Sequence, residues 1–213
     1  MTKEQLIKKV YRCIDETYPD TTEQDLEEFN IPAFLDEAVR WVVKAVPVGA
    51  LGEGYKISNI IYDLEKKVVL PSGFLRLLRV KCKEWKTAVV DARPETDPKY
   101  WQQQNPALCG SNSRPIAFLT NGGTHLDIFP KGTIDELRVF RMDYSTNIGG
   151  DLPVLPLGET IDDTYTQLDY TNYPDKLLDI TAWKTAELVF TMMQDTNGVA
   201  AAQAQIQNIM PTL

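Results

Sequence analysis

Histidine and cysteine are nearly missing from this chain of 213 residues, which has one His and three Cys. Cys13, Cys82 and Cys109 form no CxxC pair, and an odd count excludes a closed disulfide framework and fits a reducing compartment. Zinc wants three or four His and Cys ligands at close spacing, so four such residues scattered from Cys13 to His125 give no metal centre. No apolar run approaches the roughly 20 residues that cross a bilayer, and Met1-Thr2-Lys3-Glu4-Gln5 opens directly into an amphipathic pattern without a signal-peptide core. The expectation is a protein made in the cytoplasm, with no membrane partner. Positive charge is also short. Lys and Arg number 22 against 30 Asp and Glu, a formal −8, which argues against a protein that grips nucleic acid through its phosphates.

What is present is an ordinary globular composition, 43% apolar and 24% charged, in a length that buries a full core. Residues 3 to 18 place Leu6, Ile7, Val10, Tyr11 and Ile14 on one helical side. An acidic connector from Pro19 to Glu28 leads to a second helix, roughly 31 to 46, which is apolar on most sides and is ended by Pro47. Gly49-Ala50-Leu51-Gly52-Glu53-Gly54 is read as a turn. A phosphate cradle needs a preceding strand and a following helix, and Glu53 carries the wrong charge.

The middle of the chain reads as strand. Val68-Val69-Leu70 runs into the turn Pro71-Ser72-Gly73, and Phe74 to Cys82 alternates, with Arg79, Lys81 and Lys83 on a solvated side. Trp85 to Val90 is a further candidate strand. Ile116 to Thr120 and His125 to Phe129 flank Asn121-Gly122, the clearest hairpin signal, and Leu137 to Tyr144 is a last strand. Together these predict an antiparallel meander of about five strands. An insert from 92 to 114 interrupts it, carrying Trp101 either as a cap on the sheet edge or as a partner contact. After a Gly-, Pro- and Asp-rich linker, a helix from Tyr173-Pro174-Asp175 carries a wide apolar stripe. It pauses at Asp195-Thr196-Asn197-Gly198, and an Ala- and Gln-rich segment resumes. The fold class expected is α+β. Residues 1–67 form a helical region, residues 68–145 an antiparallel β region with its insert, and residues 146–213 a linker with C-terminal helices, all in one structural domain.

No reactive constellation emerges. Cys109, His125 and Asp127 supply the residue types of a nucleophile, a base and an orienter, but their spacing does not support that geometry. Asp162-Asp163 and Asp169 lack the spacing of a calcium loop. The expectation is therefore a non-enzyme with no catalytic residues, no cofactor and no metal.

Helices at both ends with a small sheet between resemble the head-to-tail adaptor proteins of tailed bacteriophages, of the tail tubular protein A type and the ring proteins of crAss-like phages. Val69-Leu70-Pro71-Ser72-Gly73-Phe74-Leu75-Arg76-Leu77 is similar to that family's entry into its sheet. Ile128-Phe129-Pro130 is similar to its strand ending in a proline turn, and Leu177 to Ala186, with Ala182-Trp183-Lys184-Thr185-Ala186, to its closing helix. The resemblance implies a structural protein of the virion neck at the head-tail junction. It forms a homo-oligomeric ring, usually a dodecamer, below the portal protein, with a tail or second ring protein as its other neighbour. DNA passes through the lumen without specific binding, and an acidic lumen lets it slide. Family members dock on the portal through C-terminal segments, which makes Ile206, Ile209, Met210 and Leu213 the expected interface residues, with Trp101 beside them. The insert 92–114 departs from the family's simple pattern. The alternative is a β-rich binding module for carbohydrate or a host surface, using the sheet face with Tyr100 and Trp101.

Overall fold

The structure, a computed structural model, describes residues 3–17, 31–103, 105, 108–141, 143–145, 167–169 and 173–212. The fold is α+β. It divides into two compact units: a helical unit of residues 1–51 with 142–213, and a β unit of residues 52–141.

In the helical unit the long helices are α1 (Lys3–Thr17) and α2 (Ile31–Ala45), then α4 (Asp175–Met192) and α5 (Thr196–Ile209) from the chain's end. The short helix α3 (Pro98–Gln102) lies in the β unit. Helix α4 is the centre of the bundle, packing on α1, α2 and α5. Its sequence explains this position, because Leu177, Leu178, Ile180, Ala182, Ala186, Val189 and Phe190 are all buried and surround the axis. Each large apolar side chain taken out of water there contributes about 1.5–3 kcal/mol. Polar residues on α4 are tied down locally. Thr181 and Thr185 donate to the carbonyls of Leu177 and Thr181, each at 2.8 Å. Buried Glu187 accepts from Lys184 at 2.7 Å and from Gln203 of α5 at 3.0 Å, while Lys184 also sits over the ring of Trp41 on α2. Gln194 has φ 58 and turns the chain, and the Asp195 carboxylate caps α5 by accepting from the amides of Asn197 and Gly198, both at 3.1 Å. The pause expected at 195–198 is thus an elbow with a built N-cap. Strands β8 (Asp143–Ser145) and β9 (Gln167–Asp169) pair antiparallel in this unit.

The β unit carries two sheets where the sequence suggests one meander, and that expectation is corrected here. The first holds β1 (Tyr55–Lys56), β7 (Ile134–Arg141) and β3 (Phe74–Cys82) in the order β1-β7-β3. The second holds β2 (Val68–Val69), β6 (His125–Phe129), β5 (Ile116–Thr120) and β4 (Arg93–Pro94) in the order β2-β6-β5-β4, with β4 parallel to β5. Strands β3 and β7 therefore pair across a long stretch of sequence, and β5 and β6 form the hairpin that Asn121-Gly122 announces. Asn121 has φ 52 and Gly122 φ 67, as such a turn requires.

Leu77, Val80, Cys82, Leu137 and Val139 from one sheet meet Val68, Ala117, Leu126 and Ile128 from the other in a single core. Trp85 to Val90 is not a strand. The Trp85 side chain turns into the core and its indole donates to the Pro130 carbonyl at 3.1 Å, leaving only Val89 paired with Val80. Gly54 has φ +60, and a Cβ there would stand 2.2 Å from Leu78 Cδ1 and 2.6 Å from the Val139 carbonyl oxygen. Gly54 is thus packed closely against the first sheet, whereas Gly49 and Gly52 have nothing within 4 Å of the place a Cβ would take.

Candidate interaction surface

The outer face of β5 and β6 brings a buried carboxylate, Asp127, together with Tyr100, Lys131 and the exposed Trp101. The insert 92–114 folds back onto it. Asp97 caps the short helix α3 (Pro98–Gln102), accepting from the Lys99 amide at 2.9 Å and pairing with Arg93. Gln103 then closes the insert on itself. Its Nε2 donates to the Lys99 carbonyl at 2.9 Å and its Oε1 accepts from the Gly110 amide at 2.7 Å. Held this way, Tyr100 lays its ring against Phe118 and Phe129 at centroid separations of 5.2 and 6.4 Å. Trp101, edge-on to Tyr100 at 5.7 Å, stays 66% exposed. Of the two roles the sequence left open for it, Tyr100 takes the covering one and Trp101 faces water.

Beneath Tyr100 lies Asp127. Alternation places it on the polar side of β6, yet it is buried, because the insert covers that side. Its carboxylate accepts from the Tyr100 hydroxyl at 3.3 Å and is in close contact with the Lys131 ammonium. Burial and then the Asp127 charge raise the Tyr100 phenol above its ordinary value. Lys67, close by, is raised first by its hydrogen bond with Glu65, against the opposing pull of burial. The cluster is a satisfied polar network that fastens the insert and the next hairpin to the sheet.

That hairpin runs from Ile61 to Val69 around Asp63-Leu64-Glu65-Lys66. The Val69 amide donates to Ile61 and the Asp63 amide to Lys67, at 2.8 and 2.9 Å. The Asp63 carboxylate accepts from the amides of Glu65 at 2.9 Å and Lys67 at 2.7 Å, a self-contained turn, and Lys131 reaches the Lys66 carbonyl at 3.3 Å. At its apex Leu64 is 104% exposed, and Ile61 and Tyr62 behind it are 55% and 45% exposed. An apolar side chain held by a fixed turn wholly in water is the least expected feature of the unit.

The structure does not bring Cys109, His125 and Asp127 into a relay. Both Asp127 oxygens are engaged as described, and the His125 ring faces Thr124 Oγ1 at 2.9 Å and Asp63 at 3.8 Å. Among the described residues no group of three or more His, Cys, Asp or Glu could hold a metal ion. Asp162 and Asp163 lie outside them. Of the C-terminal interface residues, Ile206 is buried in the helical unit, Ile209 and Met210 are half-buried, and Leu213 lies outside the described residues. The reading from sequence passed over Leu64, Ile61, Tyr62 and the exposed Met192, and it set Met193 in the buried stripe of the C-terminal helix, where the structure leaves it exposed just past the end of α4. A leucine inside a charged turn, Asp63-Leu64-Glu65-Lys66-Lys67, is the signal that could have found the first.

No protein-family model matches the chain, and no curated protein matches it. Among the described residues no helix is long and apolar enough to cross a membrane.

Proposed function

We propose that this chain is a structural protein of the virion neck: a head-to-tail adaptor whose copies close into a ring below the portal, extend the DNA channel and connect to the tail or a second ring protein. The observation that carries the reading is Leu64, an apolar side chain at the apex of a hydrogen-bonded turn that no described residue covers. Such surfaces are finished by a neighbour. The acidic balance of −8 suits a lumen that DNA slides through, and the sequence resemblance supplies the place in the particle. Its work is assembly, with no bond made or broken. Gold-labelled antibody against the chain should mark the head-tail junction in micrographs of intact particles. Particles that lack the label, or carry it along the tail fibres, would end the proposal.

One observation favours a second reading, a binding module for carbohydrate or a host surface. Trp101 offers an open ring face beside Tyr100 on a braced support, the geometry on which a sugar ring stacks. A glycan array probed with the wild-type chain and with Trp101→Ala separates the two readings, since an adaptor gives no Trp101-dependent signal.

A further inference from the structure

Within the helical unit an open groove of about 510 Å³ runs between α1 and α4, the size of pockets that take small ligands. Gln5, Lys8, Lys9 and Arg12 line one wall, at the three- and four-residue steps that gather side chains on a single face of α1. Asp179 and Trp183, four residues apart on α4, line the other. Three cations thus meet one carboxylate, a formal +2 at the groove itself. Asp179 Oδ1 pairs with Lys9. Lys8 and Arg12 are exposed at i and i+4, where like charges repel along a helix, and among the described residues neither has an acidic partner.

We infer that this groove binds a nucleotide, with Lys8, Lys9 and Arg12 taking the phosphate and Trp183 the base. A phosphate monoester carries about −1.5 to −2 at neutral pH, which matches the surplus of the groove. Its oxygens accept from the planar fork of Arg12 and from two ammoniums together, whereas a carboxylate, with a single charge, leaves a cation unmatched. Half-buried Trp183 supplies the aromatic wall on which a base stacks. Asp179 selects against a bare inorganic anion, because its carboxylate repels one, while the hydroxyls of a ribose offer Asp179 Oδ2 a donor. The site lies within one unit and does not depend on the ring reading above.

Isothermal titration calorimetry of the full chain with AMP, adenosine, inorganic phosphate and a short single-stranded oligothymidylate tests it. AMP should bind saturably with a dissociation constant below about 1 mM. Adenosine and phosphate should each bind roughly tenfold more weakly or worse, since each keeps one part of the contacts. Lys8→Gln combined with Arg12→Gln should weaken AMP roughly ten- to a hundredfold. Both positions are exposed, so the double variant should keep the wild-type circular dichroism spectrum and melting curve. Lys86→Gln, exposed in the β unit, is the control for general loss of charge and should bind AMP as wild type does. Trp183→Leu should weaken AMP without affecting phosphate, and Trp183→Phe, which keeps a ring, should retain most of the affinity. No saturable AMP binding, or equal binding by the double variant, would overturn the site. Phosphate that binds as tightly as AMP would make the groove an anion site only, and oligothymidylate binding where AMP does not bind would make it a nucleic-acid surface. Either result also overturns the assignment, and none of them bears on whether the chain forms a ring.

Discussion

Gly198 sets how the last helix lies on the bundle, and replacing it with alanine tests that packing directly. A Cβ at Gly198 would stand 2.3 Å from Asp195 Oδ2 and 2.7 and 2.8 Å from Cγ and Cδ1 of Phe190. The Asp195 carboxylate can rotate away, but doing so gives up the cap on α5, which costs about 1 kcal/mol. The Phe190 ring is fully buried and has nowhere to go, so overpacking adds about 1–3 kcal/mol. Alanine's better helix propensity returns about 1 kcal/mol. The balance is a loss of about 2 kcal/mol, which lowers the melting temperature by about 4–8 °C in a chain of this size. Far-UV circular dichroism melts of Gly198→Ala and wild type measure it. Gly49→Ala is the control, with nothing within 4 Å of its new Cβ, and should change stability by less than about 1 kcal/mol. A Gly198→Ala protein as stable as wild type, or a Gly49→Ala protein that loses as much, would refute the packing described for the elbow.

Burial raises the Tyr173 phenol above its ordinary value of 10.0, with the Thr181 hydroxyl at 2.8 Å pulling the other way. The unfolded chain therefore releases this proton first, so stability is full below about pH 10 and is lost as pH rises further. Tyr173→Phe should cost about 1 kcal/mol at neutral pH through the lost hydrogen bond. It should also flatten the alkaline fall of the urea midpoint, and an unchanged fall would count against Tyr173 as its source. Cys82, fully buried and pushed up to about 11 by burial, and buried Cys13 should resist a thiol reagent until the chain unfolds, whereas half-buried Cys109 reacts in the native protein. A native protein that titrates three thiols at one rate would contradict this burial.

Much of the architecture was written in local sequence. The alternation of Phe74 to Cys82 marks β3 to the residue, and Asn121-Gly122 fixes the hairpin on either side. The stripe from Leu177 to Phe190 foretells a central helix. What was not legible depends on contacts distant in sequence. The pairing of β3 with β7 divides one expected meander into two sheets, and two-residue strands such as β1 carry no periodicity to read. The burial of Asp127 follows from the insert folding over β6, which alternation along β6 cannot report. For the candidate surface, sequence marks Trp101 as an aromatic residue without a clear core role. Leu64 passes unnoticed because a single leucine in a charged stretch has no pattern around it. Ile206 illustrates the reverse case, an apolar residue on a weakly charged helix that the helical unit buries for itself.

Sedimentation velocity of the wild-type chain over a wide concentration range measures most directly whether its exposed surfaces are completed by further copies. The account predicts that the 24.1 kDa chain gives way, as concentration rises at low salt, to a species many times heavier. A single boundary at the mass of one chain, at every concentration and salt, would contradict it.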